Sequence, residues 1–349
     1  MTLRSLFLPA ALALLFSCNR QTPKTDSAYI TIEGQAMGTY YRVTYADSLG
    51  RDFQPQVEQF LEDFNTQVST YLDTSLISRF NLVDNSFTIP VKPAYFLDNL
   101  LASREVNSES EGAFDPTVMP LVTYWGFGVK PREVSRVDSL AVDSLRQFVG
   151  IEKVRIIPKG ADSVILQKAA PGVQLDFNAI AQGDGVDEVA KILEQNGVVN
   201  YLIDIGGEML GKGVNARGEA WTIGINTPVE DGQTEEIFTT VPLDNRALAT
   251  SGNYRKFYEV DGVKYSHTIN PKTGYPERST LLSASVFAPT AMIADAYATA
   301  CMVLGAEKGM AMIERLPDLE AVFIVAQPDG SMALRYSGGL GTYFKNRKK

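Results

Sequence analysis

Residues 289–305 read PTAMIADAYATACMVLG, with Pro289 and Thr290 as a helix start, helix-compatible residues throughout and Gly305 as the stop. Nearly every face of that helix is apolar, so the sequence predicts that it is buried. Asp295 is out of place in it. An ionised carboxylate in such surroundings costs several kcal/mol unless a cation or several donors compensate it. Thr299 lies four residues on, on the same face one turn later. Either Asp295 pairs with an arginine or caps a neighbouring helix, or the two oxygen-bearing side chains serve a site. The helix alone leaves both readings open.

Working outward, AVFIVA (321–326) and VVNYLIDI (198–205) read as strands. Helices are expected over about 182–196 and near 306–315. Residues 29–46, YITIEGQAMGTYYRVTYA, alternate and are broken by Gly34 and Gly38, which predicts two strands or one bent strand. PQVEQFLEDFNTQVSTY (55–71) places Val57, Phe60, Leu61, Phe64 and Val68 on one face of an amphipathic helix. A second helix is expected over about 93–111, a charged helical excursion over about 131–148, and a strand pair at the end of the chain. Helices and strands mix without regular alternation, which favours α+β over a doubly wound sheet.

The chain has 349 residues, enough for one large core or two modest ones. Its 45% hydrophobic and 21% charged residues are those of ordinary globular material. A net charge of −9, with no basic stripe interleaved with aromatics, argues against a nucleic-acid partner. The closing KNRKK reads as a solvated tail. At the other end, MTLRSLFLPAALALLFSCNR has a basic residue and then an apolar run too short to span a membrane, the pattern of a secretory signal. Leu15-Phe16-Ser17-Cys18 resembles a bacterial lipobox, with Phe16 an unusual occupant; ordinary soluble cleavage is the alternative. The expected organisation is a signal peptide over 1–17, a polar tether over 18–28 and one catalytic domain over 29–349. Lipid on Cys18 then holds an exported protein at the periplasmic face of the cytoplasmic or outer membrane. The only other cysteine, Cys301, lies on the apolar helix, so no disulfide is expected.

Four further stretches break local rules in the way functional sites do. Gly112-Ala113-Phe114-Asp115-Pro116-Thr117 fixes a carboxylate before a proline; an Asx turn explains it equally well. Asp176 to Asp187 runs from a strand end into a helix start, which suits a phosphate, although a plain N-cap by Asp184 or Asn178 does too. Asp204-Ile205-Gly206-Gly207-Glu208 matches neither a P-loop nor a dinucleotide fingerprint, and glycine turns account for it as well as phosphate contact does. The fourth is Ala249 to Tyr254 followed by Tyr265 to Gly274, YSHTINPKTG. His267 is the sole histidine, which rules out a His-rich zinc site. Oxygen ligands such as Asp295 and Thr299 suit a hard cation, Mg²⁺ in particular, completed by water and substrate phosphate.

Taken in order, Met37-Gly38-Thr39, Gly112 through Thr117, Ala181 with Gly183 and Asp187, Gly206-Gly207, Ala249-Thr250-Ser251-Gly252, His267 through Gly274, and Asp295 with Thr299 resemble the ApbE-type FAD:protein FMN transferases. Each piece is weak; their order along most of the chain is specific. The resemblance implies a single α+β unit of mixed helices and largely antiparallel sheets, related to T-fold domains. It implies Mg²⁺-dependent transfer of the FMN part of FAD to a Thr or Ser hydroxyl of an exported or membrane redox protein, with release of AMP. It further implies that Asp295, Thr299 and the Ala181 carbonyl hold Mg²⁺ at the pyrophosphate. Met37, Ala113, Phe114, Asp115, Asn178, Asp184 and the run His267-Thr268-Ile269 lie along the flavin nucleotide, with His267 and Asp295 as catalytic residues. Two positions depart from the family pattern: Gln182 stands where many relatives have lysine, and Asp184 where an aromatic residue is common. A lost cation and an added carboxylate weaken phosphate binding or increase reliance on the metal.

Transfer of this kind needs charge neutralisation and alignment more than covalent machinery. Histidine, which titrates near neutrality, is the candidate base for the acceptor hydroxyl, or a group that orients a phosphate. An FAD pyrophosphatase uses the same pocket to yield FMN and AMP. A non-catalytic flavin carrier is the third reading, against which Asp295, Thr299 and His267 argue.

Overall fold

The computed structural model describes residues 28–129, 134, 136–229, 236–253, 257–260 and 263–347, so the expected signal peptide, Cys18 and most of the tether lie outside the described residues. The chain opens with β1 (Ala28–Ala36) and β2 (Thr39–Asp47), then α1 (Gln54–Val68), α2 (Leu76–Leu82), β3 (Ser86–Pro90) and α3 (Tyr95–Glu109). Next come α4 (Met119–Tyr124), α5 (Ser139–Arg146), β4 (Val154–Lys159), β5 (Ser163–Lys168) and α6 (Ala181–Gln195). Strands dominate the following stretch: β6 (Tyr201–Ile205), β7 (Glu208–Lys212), β8 (Trp221–Asn226), β9 (Ile237–Leu243), β10 (Arg246–Gly252), β11 (Phe257–Val260), β12 (Val263–Ser266) and β13 (Leu281–Ala288). The chain then passes through α7 (Ala291–Arg315), β14 (Glu320–Ala326), β15 (Met332–Tyr336) and α8 (Gly341–Arg347).

Eight strands form one sheet in the order β1-β2-β6-β7-β10-β13-β14-β15, and every neighbouring pair in it is antiparallel. The expected α+β class with largely antiparallel sheets holds. On one face the main core gathers Val43, Ile203, Ala249, Ala284 and Phe323 of the sheet against Phe64 of α1, Leu100 of α3, Val189 of α6 and Ala298 and Cys301 of α7. The other face carries a second cluster, in which Trp221, Ile223 and Val241 of the β8–β9 hairpin and Phe344 of α8 cover Leu248, Phe287 and Ile324. A third cluster joins Leu121 and Trp125 to Val142 and Ile269.

The helix 289–305 is buried as its composition requires. Asp295, Ala296, Ala298 and Cys301 are all inaccessible or nearly so. Gly305 is the stop the sequence signals: its φ of 75° and ψ of 175° break α7 into two helices across a kink, a conformation that costs glycine little. Three expectations need correction. No strand runs into α6, since residues 173–177 belong to none. Among the described residues of the charged excursion only α5 is helical, because Asp138 accepts from Leu140 and Ala141 N–H and fixes the start there. The chain closes with one strand and a short helix instead of a strand pair, since β15 pairs with β14 and α8 then lays Phe344 on the second cluster. Among the described residues, no helix is long and apolar enough to cross a membrane.

Candidate active site

The site grows from the contact of α6 with α7. Gly183, in the first turn of α6, has no room for a side chain: a Cβ there would run into the Ala291 carbonyl and lie 2.7 Å from Met292 Cα. The close approach lets each helix end on the other. Asp187 accepts from the Ala291 N–H at 2.8 Å and the Met292 N–H at 2.9 Å, replacing the side-chain cap that Thr290 does not provide. Asp295 Oδ2 accepts from the Gly183 N–H at 3.4 Å. Of the two structural readings of Asp295, helix capping is therefore realised in a long bond, and among the described residues no arginine pairs with it. Burial pushes its carboxyl up to about 7, against the Gly183 N–H, which lowers it.

Thr299, one turn on, shares a hydrogen bond of 3.1 Å with Ser251 near the end of β10. A second carboxylate reaches the same place from β7. Glu208 is buried, its Oε2 has no hydrogen-bond partner, and its carboxyl is driven well above the usual range by burial and then by the charge of Asp295. The sequence flags the stretch that ends in Glu208 but gives its side chain no role, because Gly206-Gly207 beside it reads as a turn. It is one, with φ values of 65° and 106°, and the Ile205–Glu208 pairing across it fixes which way Glu208 faces. A Cβ on Gly206 would lie 2.7 Å from Thr39 Cγ2 and 3.2 Å from Gln182 Nε2, so the β1–β2 and β6–β7 turns meet at the start of α6. Met37, in a left-handed turn with φ of 53°, puts its sulfur 3.2 Å from the position of a Cβ on Gly185. Met37, Ala181, Asp295 and Thr299 are thus brought together.

His267 follows β12 and meets the Phe127 ring edge to face at 6.3 Å. Its segment is tied down on both sides. Thr268 donates to Asn253 Oδ1 at 2.6 Å, two residues past Ser251, while Ile269 is buried in the third cluster. Asn270 donates to Glu277 at 3.0 Å, and Trp125 Nε1 donates to the Gly274 carbonyl at 2.8 Å. Lys272 Cε would lie 3.5 Å from a Cβ on Gly112, so the Gly112–Thr117 loop borders this segment.

In that loop Ala113 and Phe114 are buried. Asp115 is an Asx turn and more. Its oxygens accept from Thr117 N–H at 2.8 Å and Thr117 Oγ1 at 2.6 Å, and from Ile151 N–H at 3.1 Å and Asn107 Nδ2 at 3.2 Å. Asn178 is exposed, with its N–H on Asp176 Oδ1 at 2.8 Å and its amide near Thr70. Burial raises the Asp176 carboxyl to about 6. Asp184 is set apart from Asp295: it is buried, accepts from Asn99 Nδ2 at 2.6 Å, and has Glu188, Asp187 and Lys191 as its charged neighbours.

Among the described residues, no three His, Cys, Asp or Glu side chains converge on a point that would hold a metal. The pocket at Asp295, Thr299 and Glu208 offers oxygen only, and both of its carboxyl groups are buried. That donor set fits a hard divalent cation completed by water and substrate oxygen.

The model of the ApbE family matches residues 37–323. The FAD:protein FMN transferase of Haemophilus influenzae is 35% identical over 337 residues, covering 95% of this chain and 94% of the relative. The solved flavin transferase ApbE from Vibrio cholerae is 35% identical, with a TM-score of 0.79 over 90% of this chain and 99% of that one. The apo form of the Pseudomonas stutzeri flavinyl transferase ApbE is 32% identical, with a TM-score of 0.80 over 91% and 97%.

Proposed function

The chain belongs to the ApbE family and is a flavin-transferring enzyme, and from that premise we propose that it moves the FMN part of FAD onto a threonine or serine hydroxyl of an exported or membrane redox protein and releases AMP. The observation that carries this finer reading is the all-oxygen pocket at the start of α6, with two buried carboxyl groups, one of which has an oxygen without a hydrogen-bond partner. Asp295, Thr299 and the Ala181 carbonyl are the ligands we assign to Mg²⁺. When bound, Mg²⁺ neutralises pyrophosphate charge and polarises the phosphorus.

The residues divide the remaining work. Met37, Ala113, Phe114, Asp115, Asn178, Thr268 and Ile269 border the flavin nucleotide; Asp184, whose carboxyl is bonded to Asn99, contributes through its backbone. His267 takes the proton of the acceptor hydroxyl as that oxygen bonds to the FMN phosphorus and the bond from phosphorus to the AMP oxygen breaks. The tie from Thr268 through Asn253 holds the imidazole while this happens.

Incubation of the purified protein with FAD, Mg²⁺ and candidate exported redox proteins tests the reading. Covalent flavin on the target is expected. FMN and AMP without an adduct indicate a pyrophosphatase, and unchanged FAD a carrier. Lipid on Cys18 and attachment at the periplasmic face of a membrane belong to the same proposal, since stable anchoring takes two acyl chains or more. Mass spectrometry of the native N-terminus checks them; an unmodified terminus at another residue overturns both.

A further inference from the structure

We infer that Glu208 supplies the second negative charge of the cation pocket and holds the divalent ion together with Asp295. The inference rests on the cation reading above and adds a residue to it. Glu208 is 7% exposed, and its Oε2 meets neither solvent nor a donor. The titratable groups that act on it are Asp295 and Asp204, both acidic. Ionising Glu208 there without a cation costs several kcal/mol, and an apolar residue of similar size would be cheaper. The Gly206-Gly207 turn is closed by the Gly207 N–H on Asp204 Oδ1 at 2.9 Å and by strand pairing, and the donor to the Glu208 carboxyl is its own backbone N–H.

Its direction is set by strand alternation. Glu208 opens β7, Leu210 two residues on packs against the main core, and Met209 between them packs against the second cluster. Glu208 therefore points to the side of the sheet that carries α6 and α7, where Asp295 lies. One carboxylate leaves a divalent cation with a net positive charge in a buried site; two neutralise it.

The test is binding of the metal by the mature full-length protein without FAD, as a Mn²⁺ titration read by electron paramagnetic resonance with Mg²⁺ competing. Glu208→Gln is expected to weaken both ions about 10–100-fold, while the metal-free variant melts near the wild-type temperature, because the amide has the shape of a side chain whose Oε2 has no partner to lose. Asp295→Asn is the reference. Wild-type affinity in Glu208→Gln beside lost affinity in Asp295→Asn overturns the role of Glu208 and leaves the cation reading standing. Wild-type affinity in both overturns the cation reading itself. A metal-free Glu208→Gln that melts well below wild type assigns the side chain to the fold and also overturns the inference; Glu208→Ala, read the same way, guards against an effect peculiar to the glutamine amide.

Discussion

Asp187 and Asp295 stand at opposite ends of a reciprocal arrangement: Asp187 of α6 accepts the first N–H groups of α7, and Asp295 of α7 accepts an N–H in the first turn of α6. The two bonds differ in quality. Those to Asp187 are short and fix the helix pair, whereas that to Asp295 is long and leaves most of its carboxylate free for another partner.

Asp187→Ala should therefore be the more damaging change to the fold. It removes the cap and strands two buried N–H groups, at a cost of about 2–4 kcal/mol. Urea unfolding of the metal-free protein measures it, and Asp187→Asn, which keeps one acceptor, should recover part of the loss.

Metal-free Asp295→Asn should show a different profile. The folded protein holds the Asp295 proton up to about 7, against an ordinary value of 3.8. A raised carboxyl contributes stability that is fully present below about pH 4 and is lost as pH rises through about 7. The wild type should thus lose stability relative to the substituted protein across that window, leaving the variant the more stable at pH 8. Urea midpoints in EDTA at pH 5 and pH 8 give the difference, and transfer activity should be lost in the variant at both.

Gly183→Ala tests the closeness of the two helices. The added methyl group meets backbone atoms, which cannot rotate away, so α6 must move off α7 at a cost of about 1–3 kcal/mol. Ala181 and Asp295 then separate. The apparent requirement for Mg²⁺ in the transfer assay should rise together with the lowered melting temperature.

His267→Ala should lower single-turnover transfer to an acceptor peptide about 10²–10⁴-fold while FAD affinity stays within about tenfold. The acidic limb of the rate profile between pH 5 and 9 should vanish with it. Rate and affinity falling together would instead assign His267 to holding the pyrophosphate.

The sequence made α7 legible because its signals were local: an apolar run, a proline and threonine start, and a glycine whose left-handed φ ends it. Asp295 and Thr299 were legible for the same reason, as polar residues at helical spacing on an apolar surface. Glu208 was not. A glutamate after two glycines is unremarkable until strand pairing turns it inward, and that pairing depends on contacts from the whole sheet. Asp115 shows the converse, since its local environment before Pro116 marked it as special but not as the acceptor for Ile151, thirty-six residues away. Asp184 carried an expected nucleotide contact, yet the packing of α6 on α3 gives its carboxyl to Asn99.

The chain's two tryptophans lie outside the main core, Trp221 in the second cluster and Trp125 in the third. Trp125 stacks on Tyr265 at 5.2 Å, two residues before His267. Indole emission is therefore blind to the burial of α7 and reports on the accessory layers, with Trp125 a built-in optical probe of the segment that carries the imidazole. Fluorescence and far-ultraviolet circular dichroism will trace the same melting curve only if all three clusters come apart together.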